Sequence, residues 1–321
     1  MMYSIIIPFK ELNSNLLNNL KSISFLEYTK FEVILVPDKN ILLTEEYNYP
    51  IKTVISGKVM PGIKRDLGSK ASTGDILAFI DDDAFPVSNW LNIASENFKE
   101  KKHFAIGGPG IDDSNNTQNI VQKLSDIFFK SKFFGFPERY MSFGVKKYFD
   151  DWPSVNLLIM KDAYLKVGGF DTNHWPGEDT ILCSKLKKIG ISILYVPELV
   201  VYHVRRTNLK KLFFQLFSYG YKRAIFFFEY PNNSRKIIFL IPTIFTIYLC
   251  SLIFLNNIFY IIPLFIYLVL SFFNYANVNK YNKHSTILIL LFPFFCAYCH
   301  ISYGIGYFNA FINKIIGHKK I

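Results

Sequence analysis

Two short runs of residues carry most of the chemistry open to this sequence. The first is Phe79-Ile80-Asp81-Asp82-Asp83, an apolar stretch that empties into three consecutive carboxylates. Three adjacent anions repel one another, and a divalent cation relieves that repulsion; Mg²⁺ commonly takes one or two carboxylates together with substrate phosphates. A solvated acidic turn is the plainer account of the same residues. The second run is Gly177-Glu178-Asp179, followed by a helical pattern. Acids at a helix start can be ordinary charge placement favoured by the helix dipole, or they can be working groups. The loop Gly168-Gly169-Phe170-Asp171 ahead of them suits a substrate pocket.

The elements that must position these acids alternate in type. Ile5 to Pro8, Phe31 to Val36 and Ile76 to Ile80 are short β-branched apolar runs that predict buried parallel strands. Leu16, Leu17, Leu20 and Ile23 have helical spacing between the first two. Val54 and Ile55 suggest a further strand, and Lys64 to Ser72 a helix closed by Gly74. Beyond these come a strand near Ala105, a polar loop from Asp112 to Asn119, and an irregular aromatic stretch to Trp152. A helix then begins near Asp179, and a strand runs from Ile193 to Val196. The pattern predicts an α/β fold with an open sheet, in which ligands bind at the carboxyl ends of strands. The third strand delivers Asp81 to Asp83 to that edge.

Half of the 321 residues are hydrophobic, and the surplus lies in the C-terminal part. No charged residue occurs between Lys236 and Lys280. One helix of that length would far exceed the ~30 Å hydrocarbon core, so two spans are expected, Ile237 to Leu255 and Ile258 to Phe273, turning at Asn256-Asn257. A third apolar segment runs from about Thr286 towards Phe311. The net charge of +11 suits anionic partners. Lys210, Lys211, Lys222, Arg223, Arg235 and Lys236 precede the first span, interleaved with Leu209, Leu212, Phe213, Leu216 and Phe217. This marks a basic amphipathic segment in the membrane interface, with membrane lipids rather than nucleic acid as its partner. It also places the preceding domain on the cytosolic side of the cytoplasmic membrane. Three organised regions follow: an α/β domain at 1–205, the interfacial segment at 206–236 and a membrane region at 237–321. Ser4 to Pro8 lacks a basic leader and is not expected to be a signal peptide. Cys296, Cys299 and His300 spell C-x-x-C-H, formally a haem-attachment pattern, but inside a Phe-rich segment they read as packing residues.

Taken in order, these motifs resemble family 2 glycosyltransferases of the GT-A fold, a Rossmann-like mixed sheet flanked by helices. The resemblance covers about Ser4 to Arg223. It rests on the first strand ending at Pro8, Asp38 after the second, Arg65-Asp66-x-Gly68, Gly74-Asp75, the aspartate triplet, Gly168-Gly169-Phe170-Asp171 and Gly177-Glu178-Asp179. It implies a donor site of Pro8, Glu11, Asp38, Arg65, Asp81 and Asp82, in which Asp81 lies towards the nucleoside. Asp66 stands where the family usually carries Asn. The resemblance further implies Asp83 on a divalent metal (Mg²⁺ or Mn²⁺), Asp179 as catalytic base, and Gly169, Phe170 and Glu178 on the acceptor side. His203 is either a structural histidine or a further metal or diphosphate contact. Arg205 and Arg206 are either diphosphate contacts or membrane-surface charges.

The implied reaction is an inverting displacement that moves a sugar from a nucleotide-sugar donor to a lipid-linked or glycan acceptor in cell-envelope or surface-polysaccharide assembly. Two alternatives stand beside it. One is a polyprenyl-phosphate sugar synthase; the other is a catalytically silent, membrane-tethered sugar-nucleotide binder. A processive synthase is disfavoured, because the stretch from Gln215 to Arg223 lacks Q-x-x-R-W.

Overall fold

The structure is a computed structural model describing residues 1–99, 104–112, 119–254, 257–282 and 287–317. In chain order the elements begin with β1 (Tyr3–Pro8), α1 (Ser14–Ile23), β2 (Phe31–Val36), β3 (Ile51–Thr53), α2 (Pro61–Ala71) and β4 (Ile76–Ile80). Next come β5 (Ala84–Pro86), α3 (Trp90–Lys99), β6 (Ala105–Gly107), β7 (Gly110–Ile111), α4 (Ile120–Lys130) and α5 (Pro137–Tyr140). Then follow β8 (Lys147–Phe149), β9 (Asn156–Met160), α6 (Lys161–Lys166), α7 (Glu178–Lys188), β10 (Ile193–Tyr195) and β11 (Val201–His203). The remainder is helical: α8 (Leu209–Glu229), α9 (Pro231–Ser234), α10 (Ile241–Ser251), α11 (Ile262–Asn282) and α12 (Leu288–Ile315).

These elements form two compact units. Met1–Asp113 with Glu138–Val204 make the first, and Ser114–Pro137 with Arg205–Ile321 the second. The first unit holds a mixed sheet ordered β3-β2-β1-β4-β9-β6-β10-β8. β1 runs parallel to β2 and β4, so their carboxyl ends share one edge, while β9 runs antiparallel to both β4 and β6. The central strands β1, β2 and β4 are buried at every position, and apolar except at Ser4 and Glu32, because both faces are covered. Ile5 and Ile7 face a core with α1 and α3, whereas Ile6 faces another with α6 and α7. The expected strand at Val54 and Ile55 lies slightly earlier, at Ile51–Thr53, although the Val54 amide still donates to Leu35 O. A second, small sheet, β5-β11-β7, was not foreseen from the sequence.

The second unit departs from the expected membrane layout. Where a span was expected from Ile237 to Leu255, α10 has 11 residues, about 16 Å of helix at 1.5 Å per residue, too short for a ~30 Å core. Pro242 sits at its first turn and a 3₁₀ turn precedes it, which fixes a late start. Two helical stretches are long and apolar enough to cross a bilayer, Ile258–Lys280 and Leu288–Ile315. Asn256 of the expected turn, most of the stretch expected as a polar loop from Asp112 to Asn119, and the terminal His318-Lys319-Lys320 lie outside the described residues.

The basic amphipathic stretch is helical, but α8 is not alone on a surface. It runs alongside α12 from Tyr298 to Lys314: Tyr298 Oη donates to Leu209 O at 2.8 Å, and Lys314 Nζ lies 3.2 Å from Glu229. Leu212, Leu216, Gly220 and Ala224 recur every four residues along its buried stripe. Between these points the backbones touch. A Cβ on Gly220 would sit 2.1 Å from Tyr303 O, and one on Gly306 would sit 2.1 Å from Phe217 O. Gly306→Val should therefore force the two helices apart at about 1–3 kcal/mol, the usual cost of overpacking. The check is a lower melting temperature of the detergent-solubilised full chain.

Candidate active site

Helix α2 begins at Pro61, and three consecutive residues of its second turn project in different directions, about 100° apart. Lys64 donates to Phe9 O and to the Asp38 carboxylate, tying together the chain after β1 and after β2. Arg65 Nη2 lies 2.7 Å from Asp81 Oδ1 and Nη1 lies 3.0 Å from Glu178 Oε1; the guanidinium also faces the Phe170 ring. Asp66 accepts from the amides of Phe170 and Asp171 at 2.9 and 2.8 Å and from the Tyr164 hydroxyl. The loop needs that anchor, for Gly169 has φ +67° and Asp171 φ +40°. A Cβ on Gly169 would fall 2.4 Å from Asp66 Oδ1, so only glycine allows the carboxylate to come this close.

The acidic turn is held from behind by α1. Asn19 lies on that helix's buried face and donates to the carbonyls of Asp81 and Ala84 at 2.9 and 2.5 Å. Asn13 caps α1 by accepting from the Leu16 amide and donates to Asp82 Oδ2 at 2.9 Å. Asp82 is thus turned towards α1. Its carboxyl is pushed up to about 6, by burial first and by Asp83 and Asp81 after it, with the Asn13 bond opposing. The small sheet supplies the other side: β11 pairs antiparallel with β5 so that His203 stands opposite Ala84. His203 Nε2 then lies 3.2 Å from Asp83 Oδ1, and one ligand atom from each of Asp81, Asp83 and His203 lies within 4.8 Å of the others. Two carboxylates and an imidazole fit Mn²⁺, and the carboxylates alone also suit Mg²⁺.

Gly177, with φ +109°, precedes α7 and turns Glu178 and Asp179 into its first turn. Glu178 is buried against Arg65. Asp179 keeps part of its surface open, yet its Oδ1 is sealed and has no hydrogen-bond partner. Burial, and then the Glu178 charge, push its carboxyl up to about 7, although Arg65 and Ser154 pull the other way. A carboxyl poised near neutrality and still partly exposed has the properties of a general base.

A family profile described as Glycosyltransferase like family 2 matches residues 2–221. The chain belongs to glycosyltransferase family 2. It is 26% identical over 185 residues to the glucosyl-dolichyl phosphate glucuronosyltransferase of Haloferax volcanii, covering 53% of this chain and 56% of that one. It is 26% identical over 178 residues to the pre-mycofactocin glycosyltransferase of Mycobacterium tuberculosis, covering 56% and 37%. The chain therefore spans about half or less of these curated relatives. Among solved structures it is similar to the mannosyltransferase PcManGT from Pyrobaculum calidifontis in complex with GDP-Man and Mn²⁺, with a TM-score of 0.59 and 12% identity over 95% of this chain and 86% of that one. At that identity the likeness is one of fold, the GT-A fold.

Within this family 2 site, Pro8, Asp38 and Asp81 close the carboxyl ends of β1, β2 and β4 or follow them directly. Arg65, Asp81, Asp83, Glu178 and His203 are joined by direct contacts or short separations. Glu11 is exposed in the turn after β1, where its carbonyl accepts from Asn13. Gly169 and Phe170 lie in the loop that Asp66 anchors. Lys64, Asn13 and Asn19 escaped the sequence-based view. Asn19 left a trace there, as a polar residue on the apolar stripe Leu16, Leu20, Ile23. Removing the anchor with Asp66→Ala should destabilise the first unit by about 1–3 kcal/mol, since the Phe170 and Asp171 amides and the Tyr164 hydroxyl lose their shared acceptor. Asp66→Asn, which keeps one acceptor oxygen, should cost clearly less in a urea titration.

Proposed function

We propose that this family 2 chain moves a sugar, with inversion, from a nucleotide-diphosphate sugar to an acceptor carried on a membrane lipid. The carrying observation is the Arg65 bridge: one guanidinium joins Asp81 of the acidic turn to Glu178, so the cation cluster and Asp179 belong to one site. Asp81, Asp83 and His203 would hold a divalent ion, which when bound supplies positive charge to the departing diphosphate. Asp38, held by Lys64, addresses the nucleoside from the end of β2. Asp179 accepts the proton of the acceptor hydroxyl as its oxygen bonds to the anomeric carbon and the bond from that carbon to the phosphate oxygen breaks. The negative charge leaves with the nucleotide diphosphate.

The donor class and the metal are supported by the GDP-Man and Mn²⁺ bound to the fold relative. A lipid-linked acceptor is supported by the glucosyl-dolichyl phosphate in the Haloferax relative's name and by the two apolar helices of the second unit. The excess of basic residues at 205–236 supports a cytosolic catalytic unit.

Purified full-length chain, offered a panel of nucleotide sugars, should release nucleotide diphosphate with Mn²⁺ or Mg²⁺ and stop when EDTA is added. Asp83→Asn should abolish that metal-dependent turnover with unfolding unchanged, and near-normal turnover in this variant would defeat the metal assignment. A pH series tests the base. The proton stays on Asp179 up to about pH 7, so the active anion forms above that value. Wild-type kcat/KM should fall as pH drops through this window, and Asp179→Asn should lower the rate by about 10²- to 10⁴-fold. A flat profile from pH 5 to 8 in the wild type removes Asp179 from this role.

A further inference from the structure

Strand β9 reads Asn156-Leu157-Leu158-Ile159-Met160, and its first residue is a polar side chain that is fully buried. An amide in that position is costly unless its groups are hydrogen-bonded, and in Asn156 both are. Oδ1 accepts from Trp90 Nε1 at 3.0 Å, while Nδ2 donates to Leu199 O at 2.6 Å and to Pro109 O at 3.4 Å. Pro109 directly precedes β7, and Leu199 lies two residues before β11, so both carbonyls belong to the entry of the small sheet. The Val201 amide of β11 donates to the same Pro109 oxygen at 3.1 Å.

The backbone of Asn156 serves the other half of the cation cluster. In the pairing of β4 with β9 it stands opposite Ile80, the residue immediately before Asp81. Its side chain holds the strand that ends in His203, and the Val204 amide then closes on Asp83 O at 3.1 Å. One residue therefore joins the two arms that bring Asp83 Oδ1 and His203 Nε2 to 3.2 Å. We propose that Asn156 is a positioning residue for the divalent-ion site, fixing β11 so that the His203 imidazole completes the set begun by Asp81 and Asp83. The proposal rests on the assignment of those three residues to a divalent ion, and adds a residue outside them. Groups that orient a ligand in this way typically change metal affinity by about 10- to 100-fold. Imidazole nitrogen is a better ligand for transition-metal ions than for Mg²⁺, which keeps to oxygen, so the loss falls on Mn²⁺.

The full chain in detergent is titrated with Mn²⁺, the free ion being followed by electron paramagnetic resonance and Mg²⁺ by its competition. His203→Ala and Asn156→Leu should each weaken Mn²⁺ binding by about 10-fold or more and leave Mg²⁺ binding unchanged. The double variant should be no weaker than His203→Ala, since residues acting through one contact are not additive. Trp90→Phe takes the partner from the Asn156 oxygen and leaves both carbonyl bonds. It should lower the melting temperature without weakening Mn²⁺ binding, a split that a general loss of packing does not give. Asn156→Ser, shorter and still polar, is measured alongside so that misfolding of the leucine variant leaves a readable one. Equal loss of Mn²⁺ and Mg²⁺ in a folded Asn156 variant overturns the proposal, as do additive losses in the double variant. Hydrogen exchange without metal supplies the independent readout: peptides over 199–204 should exchange faster in the Asn156 variants, while peptides over β1 do not change. A wild type that holds no Mn²⁺ defeats the metal assignment and the proposal with it. A wild type that holds Mn²⁺, with exchange at 199–204 unchanged in the variants, overturns the proposal alone.

Discussion

A guanidinium that is only 3% exposed must have its charge answered inside the protein, and in Arg65 that answer comes from two acids on different elements. Removing one partner of a buried ion pair typically costs about 3–5 kcal/mol, because the remaining charge is left unpaired. The end of β4, the start of α7 and the second turn of α2 are therefore bound to one mutual position. The Phe170 ring adds a face for the guanidinium and brings the glycine loop into the same constraint. Lys64 and Asp66, on either side, extend it to β1, β2 and the loop. One turn of helix thus anchors the carboxyl ends of β1 and β2, the acidic turn and the loop before α7.

The same arrangement accounts for the carboxyl near neutrality. Glu178 and Asp179 are neighbours in sequence, and only one of them is paired directly with Arg65. The other sits partly buried beside its neighbour's charge, so its ionised form is disfavoured. A helix N-terminus favours anions, but at Asp179 burial and the adjacent acid outweigh that dipole. The local instability of this group is the property a proton acceptor requires.

The second unit is organised by close backbone approach rather than by charge. Gly220 and Gly306 let α8 and α12 touch along the buried stripe of α8. Packing of this kind does not depend on a hydrophobic difference between protein and lipid, so it serves helices in a bilayer as well as in water. It also explains how a helix with several basic residues joins an apolar bundle: its small residues face the partner, and its lysines need not be buried there.

Local features of the sequence determined a good deal. Apolar runs bounded by turn residues marked β1, β2, β4 and β10, because strands covered on both faces need no polar alternation. Three acids at a strand end, and two at a helix start after a glycine loop, marked the candidate site, because both patterns depend on neighbours in the chain. The shortness of α10 was hidden, for composition records apolarity and not where a helix begins. Only tertiary structure placed His203 next to Asp83, through the pairing of β11 with β5, two strands more than a hundred residues apart. The same holds for Arg65 between Asp81 and Glu178 and for Asp66 under the loop. Each is a contact between distant segments, set by sheet order and helix packing, and no periodicity or spacing in a linear sequence encodes it.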